Sequence, residues 1–155
     1  MPLWKQALSI DVLNAVHVGT TVAHLGIEFL EVGDDFIRAR VPVDARTRQP
    51  YGLLHGGVSV VLAETLGSCG AAFSCPEDYR AVGLDINANH LRGATSGWVT
   101  GVARPVHIGR LGLNVGRGHL VLEDVVVEGG TPANDPWLRA GRIELVPSPF
   151  DPAER

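Results

Sequence analysis

Apolar and polar positions along the 155-residue chain recur with two periods, and the longest apolar run lies near its centre. From 51 to 73 the sequence reads Tyr-Gly-Leu-Leu-His-Gly-Gly-Val-Ser-Val-Val-Leu-Ala-Glu-Thr-Leu-Gly-Ser-Cys-Gly-Ala-Ala-Phe. Val58, Val61, Leu62, Thr65, Leu66, Cys69 and Phe73 repeat at helical spacing and form one stripe. Gly56, Ala63, Gly67, Gly70 and Ala71 make the opposite side almost smooth. Such a helix is expected to be buried all round. Glu64 is the one charged residue between His55 and Phe73. An unpartnered carboxylate costs several kcal/mol to bury or shifts its pKa upward, so Glu64 is the first candidate for chemistry.

The flanking segments carry both periods. Leu8, Val12, Leu13, Ala15 and Val16 predict a short amphipathic helix over 8–18. Stretches 26–32 and 35–43 read as two strands joined by Gly33-Asp34. In the second, Phe36, Arg38 and Arg40 alternate with Ile37, Ala39 and Val41, which gives one wet face. Pro42 and the polar segment 44–50 lead into the helix. Beyond it, 81–91 alternates, with Val82, Leu84, Ile86 and Ala88 on one side and Asp85, Asn87 and Asn89 on the other. A turn over 93–97 then predicts 98–107 as the antiparallel return strand. Segments 119–128 and 138–146 read as two more strands, and 147–155 as a tail. One long helix among five or six mostly antiparallel strands predicts a single α+β domain over 1–155, its sheet wrapped on the helix. No internal repeat is visible.

Composition narrows the function classes. Hydrophobic residues make up 45% and charged residues 19%, a globular balance. The net charge of −4 argues against nucleic-acid binding, which needs a basic face. All the basic residues but Lys5 are arginine, a side chain suited to holding phosphates, so a small anionic ligand stays open. The two cysteines, Cys69 and Cys75, fit free thiols in a reducing cytoplasm. No signal peptide is expected from the N-terminal sequence. The glycines, His55 and Glu64 in the central run favour a buried helix over a membrane span. His17, His24 and His119 have no metal-ligand spacing with each other or with the cysteines, so neither metal nor cofactor is expected.

His55-Gly56-Gly57 falls at the predicted helix start, where free N–H groups and the helix dipole favour negative charge. Such a terminus can polarise a carbonyl and hold the oxyanion formed on attack. Glu64 lies eight residues beyond Gly56, about 12 Å along the axis, too far to act on a carbonyl held there. If both work on one substrate, the facing surface comes from a second subunit. A dimer with composite sites follows.

Five strings carry a family resemblance: Val-Pro-Val-Asp at 41–44, Arg-Thr-Arg-Gln-Pro at 46–50, Gly-Leu-Leu-His-Gly-Gly at 52–57, Leu-Ala-Glu-Thr-Leu-Gly-Ser at 62–68 and Val-Gly-Leu-Asp-Ile-Asn-Ala-Asn-His at 82–90. From about 4 to 110 the chain resembles hotdog-fold thioesterases of the aryl-CoA branch. It is most similar to bacterial 1,4-dihydroxy-2-naphthoyl-CoA thioesterases and their enterobactin-pathway proofreading relatives. The resemblance implies a hotdog fold, an acyl-CoA substrate with an aromatic or bulky acyl group, and homodimers paired into tetramers. It puts Glu64 on the catalytic carboxylate, as nucleophile or as base for water. It puts Gly56 on the oxyanion-hole N–H, and Gln49 and His55 on positions that hold the thioester and the attacking group. Ser68 falls near the leaving thiolate or a water, and Gly57 and Val82 fall in the substrate site. His90, Arg92 and Arg110 fall on the surface for the CoA nucleotide and phosphates.

The plainer readings are a structural Glu64–arginine pair, a merely capping His55, an idle Gln49 in its loop, and Arg92 and Arg110 as surface charges. After Arg110 the chain departs from the family. Leu111 stands where a hydroxyl is usual, and 111–146 diverges, as an altered reading frame would make it. The favoured function is an acyl-CoA thioesterase. The alternatives are a non-catalytic acyl-CoA-binding hotdog protein and, more weakly, a hotdog hydratase.

Overall fold

In the computed structural model, which describes residues 3–77, 79–109, 119–122, 125–129 and 136–149, the periodic stretches become elements in the expected order. Helix α1 (Ile10–Val16) starts at Ser9, whose hydroxyl accepts from the Val12 N–H, and it buries Leu13 completely. A second short helix, α2 (Thr21–Leu25), follows and is not marked by any sequence period. Strands β1 (Glu28–Val32) and β2 (Ile37–Pro42) pair antiparallel. On β2, Ile37, Ala39 and Val41 are fully buried. Arg38 and Arg40 lie on the outer face against Glu31 and Glu28, and Arg40 also stacks over the Trp98 ring.

Helix α3 (Gly56–Ser74) is the core of the domain. Leu62, Ala63, Leu66 and Ala71 are fully buried. They pack on a floor made by β2 and β4 (Trp98–Ala103), whose antiparallel register sets Ile37, Ala39 and Val41 opposite Ala103, Gly101 and Val99. A Cβ at Gly101 would lie 2.8 Å from Leu66 and 3.3 Å from Leu62, so glycine is what lets the helix approach this closely. By length and composition alone α3 is apolar enough to cross a membrane; here it is the helix of the core.

The remaining strands are β3 (Tyr79–His90), β5 (His107–Gly109), β6 (His119–Leu122), β7 (Val125–Gly129) and β8 (Pro136–Pro149). Among the described residues they complete one sheet in the order β1-β2-β4-β7-β8-β6-β5, with β3 on β8. All its pairings are antiparallel. This is the hotdog architecture: one long helix lying on an antiparallel sheet.

Several sequence expectations change. Among the described residues 98–107 is divided before Pro105, which has no N–H for a ladder, while β6 and β7 keep one antiparallel register along β8. The predicted hairpin of 81–91 with 98–107 does not form. β4 pairs with β2 and β7, while β3 pairs with β8. Residues 147–149, read as tail, continue β8. Arg110, Leu111 and the rest of 110–118 lie outside the described residues.

The alternation of β3 also changes phase. Gly83 pairs with Leu145 and Asp85 with Glu144, so Leu84 is an extra residue in the ladder. Such a bulge reverses the faces on its two sides. Ala81, Ile86 and Ala88 pack on the core, and Val82 points away with half its surface exposed.

Candidate active site

The loop between β2 and α3 is braced at several points. Asp44 Oδ1 accepts from the Arg46 backbone N–H, and Arg46 Nη2 lies 2.6 Å from Asp44 Oδ2. These bonds to Arg46 hold the Asp44 carboxyl below its ordinary range. The fully buried Thr47 donates its hydroxyl to Pro42 O at 2.6 Å. Arg48 donates to Thr95 O. The loop then folds back on itself, with Gln49 N–H bonded to Leu53 O and His55 N–H to Thr47 O, each at 2.8 Å. Gln49 is thereby presented half-buried. Its Oε1 accepts from the Tyr51 N–H at 2.6 Å, and its amide nitrogen has no acceptor among the described residues.

The start of α3 leaves one backbone donor open. His55 Nδ1 accepts from the Gly57 N–H at 2.9 Å, and His55 O accepts from the Val58 and Ser59 N–H groups. The Gly56 N–H has no acceptor among the described residues. It points out of a helix N-terminus, where negative charge is favoured. His90, expected on the nucleotide surface, stands at this same point, its Nε2 3.0 Å from Gly56 O. A carbonyl only accepts, so His90 Nε2 carries the proton. A Cβ on Gly56 would sit 2.9 Å from that nitrogen, so glycine is also what admits His90.

Glu64 occupies a different place. It lines a cleft of about 620 Å³ between α1, α2, α3 and the beginning of β3, together with His17, Thr21, Val61, Ser68 and Ala81. Ser68 Oγ donates to Glu64 Oε1 at 3.2 Å, one turn along the helix. No described cation pairs with Glu64. The expectation of a helix buried all round is corrected here. Val61, Glu64, Thr65, Ser68 and Phe73 are only half-buried, because α1 and α2 flank the cleft without closing it.

The predicted residues therefore divide. His55, Gly56, Gly57 and His90 gather at the helix start, Gln49 lies in the loop that leads to it, and Glu64 with Ser68 faces the cleft. Val82 is absent from the cleft wall, where Ala81 stands instead. Arg92 is exposed in the turn after β3. The sequence reading missed His17 and Thr21 as cleft residues, since neither belongs to a motif; proximity to α1 was the one available signal. Among the described residues no group of three or more His, Cys, Asp or Glu is placed to hold a metal ion.

Comparison with known proteins places this geometry. Residues 51–116 match the thioesterase superfamily model. The chain is 51% identical over 108 residues to a 1,4-dihydroxy-2-naphthoyl-CoA hydrolase of Escherichia coli, covering 69% of this chain and 79% of that protein. It is 49% identical over 108 residues to the proofreading thioesterase EntH of Cronobacter turicensis, covering 70% and 79%. Among solved structures, a mutant thioesterase of Pseudomonas aeruginosa superposes with a TM-score of 0.84 at 41% identity, covering 96% of this chain and 99% of that one. A thioesterase of Haemophilus influenzae gives a TM-score of 0.84 at 40% identity over 99% of both chains. With this identity, this fold and this helix at its centre, the chain belongs to the thioesterase superfamily and is a hotdog-fold thioester hydrolase.

Proposed function

We propose that the protein hydrolyses an aromatic or similarly bulky acyl-CoA to the free acid and CoA. The observation that carries this reading is Glu64, a carboxylate facing a roomy cleft and held by a serine hydroxyl rather than by a described cation. Structural carboxylates in half-buried positions are usually paired with a base. The name of the E. coli relative, a hydrolase of a bicyclic aromatic acyl-CoA, supports the acyl class.

In this mechanism the thioester carbonyl oxygen sits against the Gly56 N–H, where the helix dipole stabilises the negative charge that develops on attack. Gln49 and His55 flank it. Glu64 then acts in one of two ways. As a base it takes a proton from water, and the hydroxide adds to the carbonyl carbon. As a nucleophile it adds directly and forms an anhydride that water opens. On either route the carbon–sulfur bond breaks and CoA leaves as the thiolate, with Ser68 near the reacting groups. Arg92 and Arg110 are the candidates for the nucleotide and phosphates, while His90, bonded to Gly56 O, belongs to the thioester end.

About 12 Å of helix separates Gly56 from Glu64, so one substrate meets both only across two subunits. The proposal therefore includes a homodimer with composite sites, paired further into a tetramer. β3 supports it. This 12-residue strand is bonded to β8 on one edge, and its other edge has no partner among the described residues. A long open edge is one that a second copy can cover.

A thiol-release assay over a panel of acyl-CoAs tests the reading. Release of free CoA from aromatic thioesters, abolished in Glu64→Gln, is the expected result. Tight binding without release identifies a non-catalytic acyl-CoA-binding protein and overturns the proposal.

A further inference from the structure

Residues 47–55 form a small hairpin of their own ahead of α3. His55 N–H donates to Thr47 O, Arg48 bridges Leu54, and Gln49 N–H donates to Leu53 O. Gly52 closes the turn at φ +80°, and its N–H donates to Gln49 O. Gln49 opens that turn, while His55, at the foot of the hairpin, is the cap of α3. One flank leans on the turn after β3, where Leu54 N–H donates to Ala94 O and Arg48 Nη2 to Thr95 O.

The other flank depends on Thr47, which has no exposed surface. Its backbone N–H donates to Asp44 O, and its carbonyl accepts from His55 N–H at 2.8 Å. Its hydroxyl donates to Pro42 O at 2.6 Å and accepts from Asp44 N–H at 2.9 Å. Pro42 ends β2, the strand whose Ile37, Ala39 and Val41 belong to the floor under α3. One residue therefore grips the floor with its side chain and the helix cap with its backbone. The neighbouring Asp44–Arg46 pair is exposed, so it braces this flank weakly. Valine has the shape of threonine but can neither donate nor accept.

We propose that Thr47 is a positioning residue for thioester hydrolysis, holding Gln49, His55 and the Gly56 N–H in one arrangement against the thioester carbonyl. The inference rests on the reading that these groups meet the thioester, and it names the residue that sets their places. Thr47 touches no substrate and takes no part in bond breaking. Small displacements of groups that meet a reacting carbonyl are costly, so the hydroxyl acts on the rate through the hairpin.

CoA release from an aromatic acyl-CoA is measured for the unaltered protein, Thr47→Val, Thr47→Ser and Ile37→Val, at a temperature where calorimetry shows all four folded. In Thr47→Val kcat should fall about tenfold with KM within twofold, because the reacting groups shift while the binding surface stays. Thr47→Ser keeps the hydroxyl, so kcat should return to within threefold even though loss of the buried methyl lowers the melting temperature. Ile37→Val thins the core at the far end of β2, and should lower the melting temperature while leaving kcat within twofold. Amide hydrogen exchange reads the same node without substrate. In Thr47→Val the His55 and Gln49 N–H groups should exchange about tenfold or more faster, with Leu62 and Leu66 as before. If the valine variant fails to fold, Thr47→Ala carries the same expectations. Unchanged kcat in Thr47→Val, a serine variant as slow as the valine one, an equal loss of kcat in Ile37→Val, or unchanged exchange at His55 and Gln49 overturns the proposal. Absence of CoA release from the unaltered protein overturns the hydrolytic function and this proposal with it. Release that Glu64→Gln does not reduce overturns the Glu64 mechanism alone.

Discussion

The first turn of α3 and its middle would carry different kinds of chemistry on one helix under the proposed mechanism. At the start the polar groups are mostly backbone: an open Gly56 N–H, a Gly57 N–H capped by His55, and a Gly56 carbonyl held by His90. Eight residues on, the polar group is a side chain, Glu64, bonded to Ser68 and facing a cleft. The groups at the start also hold the helix together, so substitutions there mix stability with chemistry. Glu64 makes no bond to another element among the described residues, so substitution there separates the two. On the proposed mechanism, fold and reaction are entangled at one end of the helix and separable at its middle.

Glu64→Gln sharpens that contrast most. The amide fills the same space and can keep the Ser68 bond, but it is neither base nor nucleophile. Hydrolysis should fall on the order of 10²-fold or more. The melting temperature should stay within a degree or two, since no buried pair is broken. Turnover within threefold of the unaltered protein would make Glu64 a structural residue.

The second prediction joins the two places across subunits. Glu64→Gln chains and Gln49→Ala chains, each inactive alone, are denatured together and refolded. In a symmetric two-site dimer each mixed pair contains one intact site, so random pairing should restore roughly a quarter of full activity. Mixed pairs that form and remain inactive would put both groups on one subunit and break the composite-site reading.

Gly56→Ala acts next, and only at the start. Its Cβ would meet His90 Nε2 at 2.9 Å, so either the imidazole or the first turn must shift. About a tenfold loss of kcat is expected, because sub-ångström errors at an oxyanion donor are costly. Gly56→Ala combined with His90→Ala should recover the stability lost to the clash. If Gly56→Ala alone is silent, the Gly56–His90 contact has no bearing on the reaction.

How much of this was legible follows from what kind of signal each part leaves. Ile37, Ala39 and Val41 alternate cleanly, and Leu62 and Leu66 repeat one turn apart, so β2 and the buried side of α3 can be read directly. The open side of α3 cannot, because Val61 and Phe73 are as apolar as the core residues; what leaves them half-buried is the incomplete cover from α1 and α2. Nearness in sequence predicts a hairpin of β3 with β4, which the sheet does not contain. The floor beneath α3 required β4 to lie beside β2 instead, where Gly101 meets Ala39. Val82 was placed on the wrong side by one bulged residue, Leu84, which no periodicity reveals in advance. Glu64 stood out because it is a lone charge in an apolar run. His17 did not, because a histidine at the end of a short helix carries no pattern until Cys69 and Phe29 are seen around it.

The smallest effect concerns His55, where cap and chemistry are hardest to separate. Its Nδ1 accepts the Gly57 N–H, so His55→Ala leaves that donor without its partner. Losing such a cap costs about 1 kcal/mol, or ~2–4 °C in melting temperature for a chain of this size. Asparagine is among the best capping residues, and its side-chain oxygen can take the same N–H. His55→Asn should therefore return the melting temperature to within a degree of the unaltered protein. It cannot replace an imidazole that holds a thioester or its attacking group. Calorimetric melting and the thiol-release assay on His55→Ala and His55→Asn then divide the outcomes. Recovery of stability without hydrolysis would give His55 a role in the reaction as well as in the fold. Recovery of both would make it a cap alone, and the chemistry at the start of α3 would rest on Gly56 and Gln49.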